Sequence, residues 1–420
     1  MTIFRSLSES LSTMLRATPR PPLGLPAPIR PSPDINPEDC LDIPVQDCSA
    51  DQTARDQVFS HGRFLARQER WEDLSDELCR AETGRETTPS GMPVSDLLSL
   101  GARADVVLAA EHALIDGRPP RDAPINAGIR ALEEVLEERP GDYATALVVA
   151  LAHIDIGWAW RGTGWDATVP RANRTAFHRH FQQASMILEA HCGLENDSPS
   201  LAAARCALLA ADADPRGRIA DDYEDLIDLD PHKYRHMRAL GTNLLPRWFG
   251  TYPQLELEAR RTASRTQDIW GAGAYTWVYI DAVSSDEEAC ARVDLDFFID
   301  GLHDIVDARP DQAMVNMLTA YCAVTLQQRL GFEAEADYAR TRVADCARWL
   351  IRDHLNEVHP LIWARAAEGG DVSARITSNA RIVARGRSDA LQAICDSFAE
   401  DILSGHRVRF TPQGPELMRL

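Results

Sequence analysis

The helical character of this chain is clearest in residues 131–154, which read ALEEVLEERPGDYATALVVALAHI. Leu132 and Leu136 lie four residues apart, so both fall on one face of a helix. Pro140 ends that helix because proline has no backbone N–H to donate, although it can begin the next helix. Further on, Ala150 offers the small side chain that closely packed helices need. The stretch therefore predicts two helices that fold back on each other at a proline corner.

The same order of two apolar residues, a proline and a small residue occurs twice more along the chain. The two sets are Tyr223, Ile227, Pro231 and Gly241, and Leu302, Val306, Pro310 and Ala320. A proline that closes one unit and a small residue early in the next are typical of tetratricopeptide repeats, and the chain resembles them. Because these prolines are not spaced at multiples of roughly 34 residues, the length of that repeat, we predict irregular hairpins with insertions.

The predicted fold class is all-α: a tetratricopeptide-like array of antiparallel helical hairpins, or irregular α-solenoid, over residues 52–405. No run of alternating apolar and polar residues is long enough to predict a sheet. Residues 17–51 are rich in proline and predict an extended linker, and residues 406–420 are predicted to form a C-terminal tail.

Residues 1–16 predict a short amphipathic helix, because their apolar side chains recur at helical spacing. These side chains are Phe4, Leu7, Leu11, Met14 and Leu15. We favour docking of this helix onto the body of the protein or onto a partner protein. The alternative is weak contact with a membrane surface.

Composition excludes several classes of partner. The net charge of −20 repels nucleic acid and anionic membranes, so no nucleic-acid partner is predicted. Lys233 is the single lysine among 44 basic residues, and the rest are arginine, which indicates the codon bias of a GC-rich bacterial genome. The nine cysteines include no C-x-x-C pair and predict reduced thiols in a cytoplasmic protein. Glu9 interrupts the segment after Arg5, so we expect no export signal. The sequence contains no run of 18 apolar residues, so we predict no transmembrane segment.

Three stretches carry a closer resemblance, and two of them are the more specific. Residues 158–165 read WAWRGTGW, residues 244–250 read LLPRWFG, and residues 65–74 read LARQERWEDL. In their order along the chain they resemble motifs of an uncharacterised bacterial family that is classified as a domain of unknown function and built from tetratricopeptide-like helices. Phe249 departs from the family pattern, in which a small residue is expected. The resemblance implies the fold and implies no activity.

The motifs at residues 158–165 and 244–250 also suggest a binding site for an anionic group. They bring together arginine, tryptophan and glycine at a turn, and arginine stacked on an indole ring keeps its charge in a partly dry site. The candidate binding residues are Trp158, Trp160, Arg161, Trp165, Arg247 and Trp248. The simpler interpretation is a glycine corner covered by aromatic side chains.

A metal site is the less favoured interpretation of His232 and His236, which lie four residues apart after an acidic helix. The sequence lacks the H-E-x-x-H pattern, so the carboxylates of Asp221, Asp222, Glu224, Asp225, Asp228 and Asp230 more simply form a solvated face. His178 and His180 are predicted to be unrelated surface residues. No nucleotide-binding or serine-nucleophile motif occurs, so no cofactor and no catalytic residue is predicted.

Four arginines near the end of the predicted array form a basic island. They are Arg375, Arg381, Arg385 and Arg387. Pairing with the acidic body of the protein explains them most simply, and a docking surface for an acidic partner is the rival interpretation.

Taken together, these patterns predict a non-catalytic module that binds a peptide or helix of a partner protein, since helical repeats commonly do so. The alternative is a small-ligand binder or an enzyme whose pocket lies between the turn at Trp158–Trp165 and the turn at Leu244–Gly250.

Overall fold

The computed structural model describes residues 36–46, 50–120, 125–162, 168–368 and 379–419. The predicted amphipathic helix over residues 1–16 and residues 17–35 of the predicted linker lie outside the described residues. Within the described part the fold is all-α with one small sheet. The chain forms two compact units, one that includes residues 50–236 and one that includes residues 36–46 and 237–419. We call them unit 1 and unit 2; the division falls inside one helix, between His236 and Met237.

The described chain begins in unit 2 with α1 (Pro37–Cys40) and β1 (Leu41–Asp42). Unit 1 then contains α2 (Ala50–Arg67), α3 (Trp71–Thr83), α4 (Val94–Ala113), α5 (Ala127–Glu138), α6 (Tyr143–Arg161), α7 (Arg171–Glu189), α8 (Pro199–Leu208) and α9 (Ile219–Leu229). Short 3₁₀ turns at Leu209–Ala211 and Pro215–Gly217 connect α8 to α9. Helix α10 (Tyr234–Asn243) contains the division between the units.

The remaining helices belong to unit 2. They are α11 (Tyr252–Arg265), α12 (Gln267–Trp270), α13 (Gly273–Ser285), α14 (Glu287–Arg292), α15 (Leu295–Ala308), α16 (Gln312–Ala320), α17 (Ala334–Ala344), α18 (Ala347–Trp349), α19 (Pro360–Glu368), α20 (Asn379–Ser397) and α21 (Ala399–Leu403). Tyr321–Thr325 and Leu350–His354 are π-helical, and Gln327–Arg329 is a 3₁₀ turn. Strands β2 (His406–Thr411) and β3 (Gly414–Arg419) follow.

The three predicted proline corners are confirmed as breaks between helices. Pro140, Pro231 and Pro310 each lie two residues beyond a helix end, in the turns from α5 to α6, α9 to α10 and α15 to α16. The residue before each proline leaves the helical region, as at Arg139 with φ −126° and ψ 59°, because the proline ring excludes that region for its predecessor. An aspartate then caps the next helix at two corners: Asp142 accepts from the Ala144 and Thr145 N–H groups, and Asp311 accepts from the Met314 N–H group.

Glycines let several helix pairs come unusually close. A Cβ atom on Gly62 of α2 would lie 2.3 Å from the Leu98 carbonyl oxygen of α4, and one on Gly101 of α4 would lie 2.1 Å from the Phe59 oxygen of α2. The small residue predicted at Gly241 serves the same purpose, since its Cβ would lie 1.7 Å from the Val278 oxygen. Contacts this short mean that helix backbones meet directly at these positions.

Helix α6 forms the centre of the unit 1 core. Its residues from Ala144 to Ile154 are all buried, including Ala150, for which a small side chain was predicted. Among the described helices it is the one that is long and apolar enough to cross a membrane, with a mean hydropathy of 1.3. Because 72% of that window is buried inside the protein, its apolar character is that of a core helix.

Residues 36–46 fold in place of the extended linker predicted there. Leu41 of β1 pairs with Val408 of β2 in parallel, and Val45 forms an isolated bridge with Val358. The predicted C-terminal tail forms the hairpin of β2 and β3, which completes a sheet of order β1-β2-β3. Leu41 and Val408 are buried in the unit 2 core. The eight cysteines of the described chain are unpaired thiols.

Candidate functional site

The turn after α6 holds the first predicted set of binding residues. Trp158 packs against Phe177 and Phe181 with ring centroids 5.1 and 5.6 Å away. The Arg161 guanidinium lies 6.0 Å from the Trp158 ring, and its Nη1 donates to the Gly162 carbonyl at 3.3 Å. Gly162 ends α6 with φ +67°, a conformation that glycine adopts without strain. These contacts give the aromatic residues a structural role at the corner.

The same turn is anchored through its backbone. Asn173 of α7 donates from Nδ2 to the Trp160 carbonyl at 2.8 Å. Trp165, which was predicted to belong to this set, lies outside the described residues.

The second predicted set lies in unit 2. Arg247 donates from Nη2 to Ser285 Oγ at 2.7 Å and from Nη1 to the Ser285 carbonyl at 3.3 Å. Trp248 packs beside Phe249 with centroids 6.0 Å apart. The Arg247 guanidinium thus already anchors the turn to the end of α13. Arg161 belongs to unit 1 and Arg247 to unit 2, so the cleft predicted between their turns stays a prediction.

His232 and His236 have different surroundings. His232 is exposed, whereas His236 is 5% exposed and burial holds its pKa well below the ordinary value. Across the described ranges, no three His, Cys, Asp or Glu side chains are grouped so that they could hold a metal ion. The four carboxylates of one stripe of α9, Asp221, Glu224, Asp225 and Asp228, are exposed to solvent, as expected for a solvated face.

The basic island is partly paired within the chain. The Arg385 Nε atom lies 3.8 Å from Asp389 Oδ2, and the Arg387 Nη2 atom lies 3.4 Å from Glu38 Oε1. Arg381 is exposed, and Arg375 lies outside the described residues. These pairings agree with the simpler interpretation, in which the arginines pair with acidic residues of the same chain. Exposed pairs of this kind add only about 0–1 kcal/mol to the stability of the fold.

His180 is buried, which corrects its predicted place on the surface. Its Nδ1 lies 3.0 Å from Nδ1 of His153, so one ring donates a hydrogen bond to the other. Glu133 Oε1 lies 3.3 Å from His153 Nε2 on the far side of that ring. Burial lowers the pKa of His153 to about 3 and that of His180 to about 4. Both rings are buried where α6 packs against α7.

The single lysine also lies in a polar cluster that sequence reasoning missed. Lys233 Nζ lies 2.8 Å from Asp96 Oδ2, and Ser200 Oγ donates to Asp96 Oδ1 at 3.3 Å. Ser200 also donates its backbone N–H to the buried carboxylate of Glu82 at 3.1 Å. In a chain that otherwise uses arginine, the isolated lysine was the available signal. The cluster links α3, α4, α8 and the start of α10, and its groups bind one another.

Two aromatic side chains near the start of α17 are exposed to solvent. Phe332 is 64% exposed and Tyr338 is 60% exposed. We call residues 329–338 the aromatic turn. Large aromatic side chains that are exposed within a few residues of one another are candidates for an interaction site.

The backbone of the aromatic turn is fixed by hydrogen bonds to three side chains, of which two accept and one donates. The Gly331 N–H donates to Asp337 Oδ2 at 2.9 Å, and the Ala336 N–H donates to Glu333 Oε2 at 2.7 Å, which caps α17. Arg340 is fully buried and donates from Nη1 to the Arg329 carbonyl at 2.9 Å. The turn therefore presents its aromatic side chains from a rigid backbone.

The sequence does carry a signal for the exposure of Phe332. Phe332 directly precedes the capping residue Glu333. An apolar side chain in the position before the cap usually packs against the fourth residue of the helix. That residue is Asp337, which binds the Gly331 N–H and offers no apolar surface. Phe332 consequently remains in solvent.

Comparisons of this chain with protein-family models, with curated proteins and with solved structures found no match. The resemblance to a bacterial family of tetratricopeptide-like helices therefore stays a prediction.

Proposed function

We propose that this protein is a non-catalytic interaction module that binds a peptide or helix of a partner protein, and that the aromatic turn of unit 2 makes the contact. The observation that carries the proposal is the exposure of Phe332 and Tyr338 on a backbone that is already fixed. Aromatic residues dominate the energy of protein interfaces. A rigid backbone also lowers the entropy lost on binding.

The residues around the aromatic pair support the same proposal. Arg342 Nη1 donates to the Tyr338 hydroxyl at 3.2 Å, so a guanidinium lies beside the ring. Tyrosine and arginine are among the residue types most enriched where truncation weakens an interface. In this proposal the partner is a protein, because the net charge of −20 disfavours nucleic acid.

We place this function in the cytoplasm. Cysteines are kept reduced there, and the eight described cysteines are unpaired thiols.

The alternative, a small anionic ligand bound between the two arginine turns, has less support. Arg247 already uses two nitrogen atoms on Ser285, and a ligand would have to replace those bonds.

The proposal is tested by chemical crosslinking and affinity capture from the native host. The full chain is compared with the double variant Phe332→Ala/Tyr338→Ala, and captured proteins are quantified by mass spectrometry. We expect at least one partner to be enriched by the unaltered chain and reduced about tenfold or more by the double variant, as hot-spot residues allow.

The matched control is Leu257→Ala, which removes an apolar side chain that is 49% exposed in the same unit. This control should capture the partner normally. Equal capture by all three proteins would show that the aromatic turn does not bind the partner. The direct contact is then measured with the purified partner by calorimetry.

A further inference from the structure

Strand β3 has one neighbour in the sheet. The order is β1-β2-β3, so within the described ranges β2 pairs with one edge of β3 and no strand pairs with the other. A free edge exposes backbone N–H and C=O groups that can pair with another strand. Proteins use such edges to bind extended peptides.

Proline identifies which residues of β3 turn their backbone groups outward. Pro415 pairs with Phe410 but has no N–H to donate, and proline in a sheet occupies positions whose N side faces away from the neighbouring strand. Backbone direction alternates along a strand in an antiparallel pair. Leu417 and Arg419 therefore also direct their N–H and C=O groups to the free edge.

The core-facing side of the sheet is apolar up to this edge. Val408 and Phe410 of β2 are buried, and they pair with Leu417 and Pro415 of β3. Leu417 is 47% exposed, although it lies on the same side of the sheet as Val408, and no strand of the described ranges lies beyond it in the sheet. An added strand with an apolar side chain opposite Leu417 would extend this surface.

The opposite side of the sheet carries alternating charges across the three strands. Asp42 of β1 pairs with Arg409 of β2, which in turn pairs with Glu416 of β3. The Arg409 Nε atom lies 3.6 Å from Asp42 Oδ2. Opposite charges in directly opposed positions are favourable, and like charges are not. The position opposite Glu416 on a fourth strand should therefore be basic.

We infer that the free edge of β3 binds an extended segment of a partner protein as a fourth strand, with alternating basic and apolar residues. The segment places a basic side chain opposite Glu416 and an apolar one opposite Leu417. Strand β2 already meets β3 in this way, with Arg409 and Val408 in those positions. This edge is separate from the aromatic turn, and neither inference depends on the other.

The probe is a fluorescent peptide with the chain's own β2 sequence, residues 405–411, GHRVRFT. Binding to the full chain is followed by fluorescence anisotropy. We expect saturable binding that weakens as salt is added, and protection of the Leu417 and Arg419 amides from hydrogen exchange in the complex. A scrambled peptide should bind at least about tenfold more weakly, since it loses the alternation.

Two protein variants test the geometry. Leu417→Pro removes an N–H at the free edge, which β2 does not use, and should weaken peptide binding. The variant Glu416→Arg should lose binding of the GHRVRFT peptide. It should instead bind a peptide in which both arginines of that sequence are replaced by glutamate. This exchange of charges shows that a lost signal does not come from a misfolded hairpin.

Three results would overturn the inference. One is the absence of binding, and another is binding that neither variant changes. The third is concentration-dependent protection of Leu417 without peptide, together with a dimer in sedimentation, which assigns the edge to a second copy of the chain. The variant Phe332→Ala/Tyr338→Ala should bind the peptide normally, so failure of the proposed function and failure of this inference are distinguished.

Discussion

His153 and His180 show how a buried polar residue constrains the protein around it. Their Nδ1 atoms are 3.0 Å apart, so one must carry a proton and the other must not. The sequence placed His180 on the surface because it lies two residues from His178 on one helix. Which of the two is buried depends on Phe181 and Gly157, which meet across α6 and α7, and spacing along one helix does not contain that information.

The histidine pair predicts that unit 1 loses stability in acid. Burial lowers the pKa of His153 to about 3 and of His180 to about 4, whereas unfolded histidine titrates near 6.5. The unfolded state therefore binds more protons as the pH falls from about 6.5 towards 4. Stability is complete above this window, and between pH 6.5 and 5 each histidine should remove about 2 kcal/mol. Urea unfolding at pH 7 and pH 5 measures the difference.

The control for this prediction is a pair of neighbouring variants. His180→Gln keeps a hydrogen-bonding side chain next to His153 but does not titrate, so the loss of stability between the two pH values should shrink. His178→Gln replaces an exposed histidine and should leave the loss unchanged. Equal pH dependence in all three proteins would contradict the role of the pair.

Gly101 gives a second prediction at the residue scale. An alanine Cβ there would lie 2.1 Å from the Phe59 carbonyl oxygen, so α2 and α4 would have to move apart. Gly101→Ala should destabilise unit 1 by about 1–3 kcal/mol, the cost of overpacking. Gly217→Ala is the control, because nothing lies within 4 Å of its added Cβ. Thermal unfolding compares the two, and an unchanged midpoint for Gly101→Ala would disprove the close contact.

At the scale of elements, helix ends were the part of the fold that sequence predicted best. Pro140, Pro231 and Pro310 act on the residue before them, and Asp142 caps the helix that follows. Such signals depend on neighbours a few residues away. The exposure of Phe332 could also have been found locally, from the missing apolar partner at Asp337. The rigidity of the aromatic turn could not, because it depends on Arg340, whose Nε donates to Val283 on another helix at 3.0 Å.

Arg340→Lys should loosen the aromatic turn. Lysine keeps the positive charge near Glu287 but cannot reach the Val283 and Arg329 carbonyls with a planar fork. We expect unit 2 to lose about 2–4 kcal/mol, because buried polar groups are left without partners. The Gly331 amide should also exchange faster in hydrogen exchange. Arg342→Lys, on the same helix near its surface, should change the stability by less than about 0.5 kcal/mol.

At the scale of the whole chain, the sheet is the feature that sequence reasoning could not supply. Strand β1 has two residues and pairs with β2, which lies near the other end of the described chain. Two residues cannot show an alternating pattern. The prolines around β1 indicate an extended backbone, and they do not show what that backbone contacts. Only the tertiary structure shows that Leu41 reaches the core of unit 2.

This arrangement predicts that unit 2 depends on a residue in the region assigned to a linker. Leu41 is 6% exposed and packs in the core with Val408, so Leu41→Ala should cost about 2–3 kcal/mol through lost burial and a cavity. The adjacent Asp42 pairs with Arg409 at the surface, so Asp42→Ala should cost less than about 1 kcal/mol. Urea unfolding and hydrogen exchange at the Val408 amide compare the two variants. If both behave alike, β1 does not hold the sheet to the core, and the free edge of β3 would need a different account.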